Sequence, residues 1–487
     1  MMRPTILSLA ACALLAPSVS AQFFQPGNVV VVRAGDPALT LSSAAAPLFL
    51  EEWNPVTNTL VQTLALPNGN PAGLPIPTPV APNVSIAQRG FSSTEGQLNL
   101  SADGRYLVVG GYAADTGSPN PRDEPSATTP RVIAVVDVLT GLVDTSTALT
   151  DAYDSTDFRG VTSDAGLRFW TSGNDTGGSV RFVSNLGATT SLPVNAGSPT
   201  NNRFIGIYDF DLYVTSASTG AGTLGVVAVG SGGLPTTGGQ AQTLLPGFPT
   251  SGGISAGNPY DFWFADDQTL YVADSNQNST IGGVQKWTFN GTTWAFQYRL
   301  TVQVPPAETW GARGLTGLKR NGVNEIWFTA EQPGFVTHLC KVEDTGPSAV
   351  PVIVSTEPTE TDYRGVRVIG TQIQSIAAGC GAAELQVSGP GLLGTGVKVE
   401  LENVQGFAFL NFSFTPVGLP LTNCTCTVVA APGTLVGTDS VVLPIPDDIT
   451  LIGRDVYVQG IDLFDPAATC VELPFLTLTD GAVFTVR

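Results

Sequence analysis

Residues 362–370 read DYRGVRVIG, and the same opening returns as DFRGV at 157–161. GARGL at 311–315 and AQRGF at 87–91 repeat the Arg-Gly step before an apolar residue. Either these arginines belong to one shared site, or they mark the same joint in a repeated structural unit. RGVTSDAGLRFWTSG from 159 and RGLTGLKRNGVNEIWFTAE from 313 continue through a turn into an aromatic-rich strand. RFIGIYDFDLYVTSA from 203 and YDFWFADDQTLYVADS from 260 keep the pattern without the dipeptide. GQLNLSADGRYLVVGGY from 96 is the same hairpin, turning on Asp103-Gly104, a strong local turn signal. A third strand follows each hairpin (RVIAVVDV, GSVRFVS, LGVVAVG, GVQKWTF), and a fourth precedes the next Arg-like position.

From Arg89 through Arg159, Arg203, Asp261 and Arg313 to Arg364 the spacing averages about 55 residues, which suits the four strands and loops of a β-propeller blade. Five complete units fit between about residues 89 and 356. YRGVRVIG then supplies one inner strand and stops. NVVVVRAGD from 28, APLFLEEW from 46 and TLVQTLAL from 59 are three strands without an inner partner. Joining the two sets predicts a sixth blade built from both ends of the repeat region, which removes the sheet edges an open ring would expose. The expected fold is all-β, a six-bladed propeller over 23–372 with a composite closing blade. The 55 glycines and 36 prolines, spread through Val-, Thr- and Leu-rich text, agree with many short strands and tight turns.

Two hairpins resemble known repeats. TLYVADSNQNSTIGGVQKW from 269 is similar to an NHL-type blade, and LSADGRYLVVGG from 100 resembles the repeat of lactonase-like bacterial propellers. Both resemblances cover single hairpins and imply fold, not activity. Beyond about residue 372 the blade pattern ends. CGAAELQVSGPGLLGTGVKVELENV and TLIGRDVYVQGIDLFDP resemble the β-rich C-terminal module of secreted bacterial proteins. Residues 373–487 are expected to form a compact β-sandwich.

The chain opens with a basic start, an apolar run from Ile6 to Ala16, and SVSA before Gln22. That order predicts a signal peptide over 1–21, with Cys12 as a rival lipidation position. No later stretch is long and apolar enough to span a bilayer as a helix, so a periplasmic or extracellular location is expected. Net charge is −19, from 40 acidic and 21 basic residues. Such a chain repels phosphate backbones, which argues against a nucleic-acid partner. Of the cysteines, Cys380, Cys424, Cys426 and Cys470 cluster near the end and are candidates for two disulfides. Cys424 and Cys426 are too close along a strand to pair together, which leaves two connectivities. Cys340 reads as a small buried hydrophobe.

In a propeller the loop entering each innermost strand lies on one rim. Arg89, Arg159, Arg203, Arg313 and Arg364 are therefore expected near one mouth, with Asp157, Asp261, Glu308 and Asp362 close by. One reading is a site for an anion or a carboxylate-bearing sugar. The other is a ring of ion pairs holding the blade joints. Trp310, in the polar stretch PPAETWGARG, is the tryptophan placed to stack on a ligand. His338 is the only histidine, which excludes multi-histidine metal sites. No Gly-x-Ser-x-Gly elbow or phosphate loop is present. SDAGLRFW misses the sialidase box by one spacing, and DSNQNS at 274–279 alternates like a calcium loop but lacks its glycine and closing Glu. No cofactor is expected, with a divalent cation such as calcium the one candidate under a catalytic reading. Three function classes follow: an exported protein binding a glycan, peptide or cell-surface protein; a propeller enzyme of lactonase-like or lyase type; and a structural envelope component.

Overall fold

The computed structural model describes residues 23–486 apart from 70–74, 196, 252–256, 278–281, 305–307, 321–322, 333–335, 371–372, 377–378, 389–395, 422–426, 447–450, 452–453 and 467–474. The predicted signal segment lies outside the described residues. Six four-stranded antiparallel sheets follow one another as blades. Blade 1 is Leu98–Leu100, Tyr106–Tyr112, Arg131–Asp137 and Val143–Leu149. The inner strands of blades 2 to 5 are Phe158–Ser163, Asn202–Tyr208, Pro259–Asp266 and Gly311–Arg320. Blade 6 is the composite: Asp362–Val368 pairs with Val29–Ala34, followed by Leu48–Asn54 and Thr59–Ala65. Each inner strand packs beside the next, and the last packs beside the first, so the ring is closed.

What holds the ring is a wedge of apolar side chains between each pair of blades. Between blades 6 and 1 lie Val30, Val32, Leu48, Leu107 and Val132. Tyr112, Phe158 and Phe169 fill the next gap, and Trp170, Val214 and Val227 the one after. Aromatic rings dominate between blades 3 and 4, where Phe204, Phe262, Phe264 and Trp287 meet. Cys340 is free and fully buried between blades 4 and 5, where burial raises its thiol far above the ordinary range. Trp327 and Tyr363 sit between blades 5 and 6.

The Arg-Gly step is a β-bulge. In blades 2 to 6 the inner strand carries one more residue than its partner at this point, between Phe158 and Gly160, Asn202 and Ile205, Pro259 and Phe262, Ala312 and Leu315, and Tyr363 and Val366. A bulge bends a strand and re-aims one side chain, here toward the mouth. The glycine is required by the neighbour: a Cβ on Gly314 would lie 2.4 Å from the Arg364 carbonyl oxygen, and one on Gly365 2.1 Å from the Leu98 nitrogen. Arg89-Gly90 is different. It lies outside blade 1, in a two-residue pairing of Gln88–Arg89 with Ala45–Ala46. The sequence repeat therefore started one loop too early.

The remaining strands form a sandwich. A five-stranded sheet in the order Ile373–Ile376, Leu476–Thr485, Asp455–Leu463, Phe407–Ser413 and Thr434–Val436 faces a three-stranded sheet of Glu384–Ser388, Gly396–Glu402 and Ser440–Pro444. Val397, Val399, Leu410, Val458 and Phe484 pack between them. Cys380 is disulfide-bonded, as expected, whereas Cys424, Cys426 and Cys470 lie outside the described residues. Cys380 packs against Leu478.

Candidate functional site

The starts of the inner strands converge on one mouth of the channel, and the segment from Gln88 to Gln97 lies over it. Thr94 Oγ1 donates to Asp157 at 3.3 Å, and the Tyr260 hydroxyl donates to the Ser93 carbonyl. Glu95, buried beneath, accepts from the Arg89 backbone N–H at 2.9 Å and from the Tyr112 hydroxyl at 3.0 Å. Burial raises the Glu95 carboxyl to about 7, against the pull of Arg364.

The mouth arginines fall into two kinds. Arg364 is spent on the joint between blades 6 and 1: Nε donates to Asp362 at 2.9 Å, Nη1 to Gln88 at 2.6 Å, and Nη2 to the carbonyls of Arg89 and Gly90. Arg159 clasps Asp157 at 2.8 Å and reaches Asn201 and the Asn202 carbonyl of the next blade. Arg313 pairs with Glu331 of its own blade. Arg203 has no acid partner among the described residues. Its Nη1 donates to the Pro259 carbonyl at 3.3 Å, and its guanidinium lies over the Tyr260 ring at 4.7 Å. Burial lowers its proton affinity and repulsion from Arg159 and Arg313 adds to this, while Tyr260 and Asp274 oppose. The Nε atoms of Arg89, Arg159, Arg203 and Arg313 are all buried without a partner among the described residues.

The other expected residues are distributed differently. Asp261 is not at the mouth. It lies in mid-channel, where Arg367 donates to both of its oxygens at 3.0 and 3.1 Å. Arg367 also reaches the Leu315 carbonyl and Asn99 Oδ1, and Asn99 Nδ2 donates to the carbonyls of Val161 and Ile205. One polar network thus touches all six blades. Burial raises the Asp261 carboxyl to about 6 despite Arg367. Trp310 does not stand on an open rim: it is buried, and its ring stacks on His338 with centroids 4.3 Å apart. Glu308 pairs with Val304 in a short hairpin before blade 5. Asp274, the first residue of the calcium-like run, is buried, which raises its carboxyl to about 6 although it accepts from the backbone N–H groups of Asn276 and Asn258. Among the described residues no group of three or more His, Cys, Asp or Glu is arranged to hold a metal.

Sequence reasoning missed Glu95, Asn99, Tyr260 and Arg367. Arg367 had a signal: it stands three residues after Arg364 in YRGVR, the offset at which a bulged strand turns a second side chain inward.

No family model and no curated protein matches the chain. Solved structures similar to it include a putative 6-phosphogluconolactonase from Bacteroides uniformis, 12% identical, with a TM-score of 0.37, covering 86% of this chain and 98% of that one. The periplasmic gluconolactonase of Pseudomonas aeruginosa is likewise 12% identical, with a TM-score of 0.38, covering 86% of this chain and all of its own. Likeness at this level says nothing about chemistry.

Proposed function

We propose that this chain is an exported propeller that binds a carboxylate-bearing ligand, a sugar acid of the uronic type, at the arginine mouth. The observation that carries the reading is Arg203. It is a partly buried cation without an acid partner among the described residues, repelled by the guanidinium groups of Arg159 and Arg313, whose Nε atoms are likewise without a partner among the described residues. A planar carboxylate accepts from such a fork through two parallel bonds and neutralises the crowded charge. Export is supported by the order of basic, apolar and small residues over 1–21. Titration calorimetry with glucuronate and galacturonate oligomers tests the reading. Saturable heat is expected, with Arg203→Ala at least tenfold weaker and its melting temperature unchanged. Unchanged affinity in that variant, or no heat with any uronate, overturns it.

A propeller enzyme is the second reading, favoured by the carboxyls at the same end. Glu95 is raised to about 7 and Glu357 to about 8, in each case first by burial, and burial also raises Glu331. A carboxylic acid titrating near neutrality suits proton transfer in lactone or ester hydrolysis. Turnover of a sugar lactone that disappears in Glu95→Gln would move the assignment to this reading.

A further inference from the structure

We infer that the opposite mouth of the channel is a second ligand site, for a neutral amphiphile with an apolar body and a hydroxyl-rich head. The inner strands end there around a cavity of about 570 Å³. Its walls include Phe204, Phe262, Trp263 and Phe264 from blades 3 and 4. Gly396, Lys398 and Val442 of the C-terminal sheets form its far side. The volume suits a molecule of a few rings or an eight-carbon chain with a sugar, and mostly apolar walls with few polar groups are what such ligands use.

The polar groups decide the ligand's charge. The floor is Arg367, whose guanidinium is already neutralised by Asp261 and hydrogen-bonded to Asn99 and the Leu315 and Val366 carbonyls. It has little left to offer an anion. At the lip, Lys398 is paired with Asp209 and lies 3.3 Å from Glu400. Asp266 and Asp267 are exposed beside them, the latter accepting from the Tyr208 hydroxyl at 2.7 Å. The lip is therefore net negative and rich in acceptors, which repels anions and suits hydroxyl donors. This site shares no residue with the arginine mouth, so either assignment can fail without the other.

Hexyl, heptyl and octyl glucosides, below their micellar concentrations, are the probes, read by tryptophan fluorescence and calorimetry. Binding should be saturable and tighten about fourfold per added methylene. Octanoate should bind at least tenfold more weakly than octyl glucoside. Ala265→Trp fills the cavity from the propeller side, and Val442→Trp fills it from an exposed position on the sandwich. Each should lose at least tenfold in affinity with an unchanged melting curve. If Ala265→Trp does not fold, Val442→Trp carries the test. Absence of saturable binding, wild-type affinity in the folded filled variants, or equal binding of octanoate overturns the proposal.

Discussion

The two mouths of the channel are built from the same six strands, yet they differ in chemistry. Where the inner strands begin, bulges turn arginines inward and Gln88 to Gln97 lies across them, leaving buried charges that are mostly paired. Where the strands end, blades 3 and 4 supply aromatic rings and the C-terminal sheets form the opposite wall. Between them, the network of Arg367, Asp261 and Asn99 links the inner strands of all six blades across the channel. Strand direction gives the repeat two unlike faces. The start of each strand holds the joints together, and among the described residues Arg203 and Arg89 are the mouth arginines without an acid partner, Arg203 being the one on which the proposed ligand site rests.

The network between the mouths is the place to break this comparison. Arg367→Met leaves Asp261 buried without its counter-charge and should cost about 3–5 kcal/mol in urea unfolding. Restoring neutrality with Asp261→Asn in the same chain should recover a large part of that loss. Full stability in the single variant would show that the network is not what ties the six blades.

A pH series tests the arginine mouth next. The Glu95 carboxyl is raised in the fold to about 7, while the unfolded chain titrates near 4.5. Between those values the fold holds a proton that the unfolded chain has released, so stability falls as pH rises from about 4.5 to 7. The shift corresponds to roughly 3 kcal/mol at most. Glu95→Gln should flatten part of the decline in melting temperature, leaving the contributions of Asp261, Asp274 and Glu357. An unaltered slope would mean that Glu95 stays ionised.

The smallest effects sharpen the division among the arginines. Arg159→Ala, which strands Asp157, should cost about 1–3 kcal/mol. Arg203→Ala should change stability by about 0.5 kcal/mol or less, because it removes a cation with no acid partner. Equal losses would erase the distinction on which the ligand assignment rests.

The architecture was legible because its cause is local. An Arg-Gly bulge, a turn and an aromatic strand recur along the chain, and the three unpartnered strands after Asn28 could belong only with DYRGVRVIG. The grouping of side chains was less legible. The sequence repeat aligns Asp261 with the mouth arginines, but the bulge register puts Tyr260 at their position and Asp261 one residue further on, where it meets Arg367, 106 residues away. Trp310 stood in polar text and read as exposed, whereas at the junction of the short strand Glu308–Thr309 and the inner strand Gly311–Arg320 it stacks on His338. The loop through Glu95 carries a misleading signal, the Arg89-Gly90 step, whereas its role is set by what it covers.

The composite blade also makes the propeller sensitive to its own completeness. Val29–Ala34 is synthesised early and must wait for Asp362–Val368 before its inner edge is paired. Distant pairing of this kind forms slowly, although the entropy of closing so long a loop grows only with the logarithm of its length. Until then the strand offers a row of free backbone groups to any passing chain. A product cut short before residue 362 would keep that adhesive edge permanently, so the closing strand works as a length check, and only a chain translated through it becomes a ring with nothing left to template.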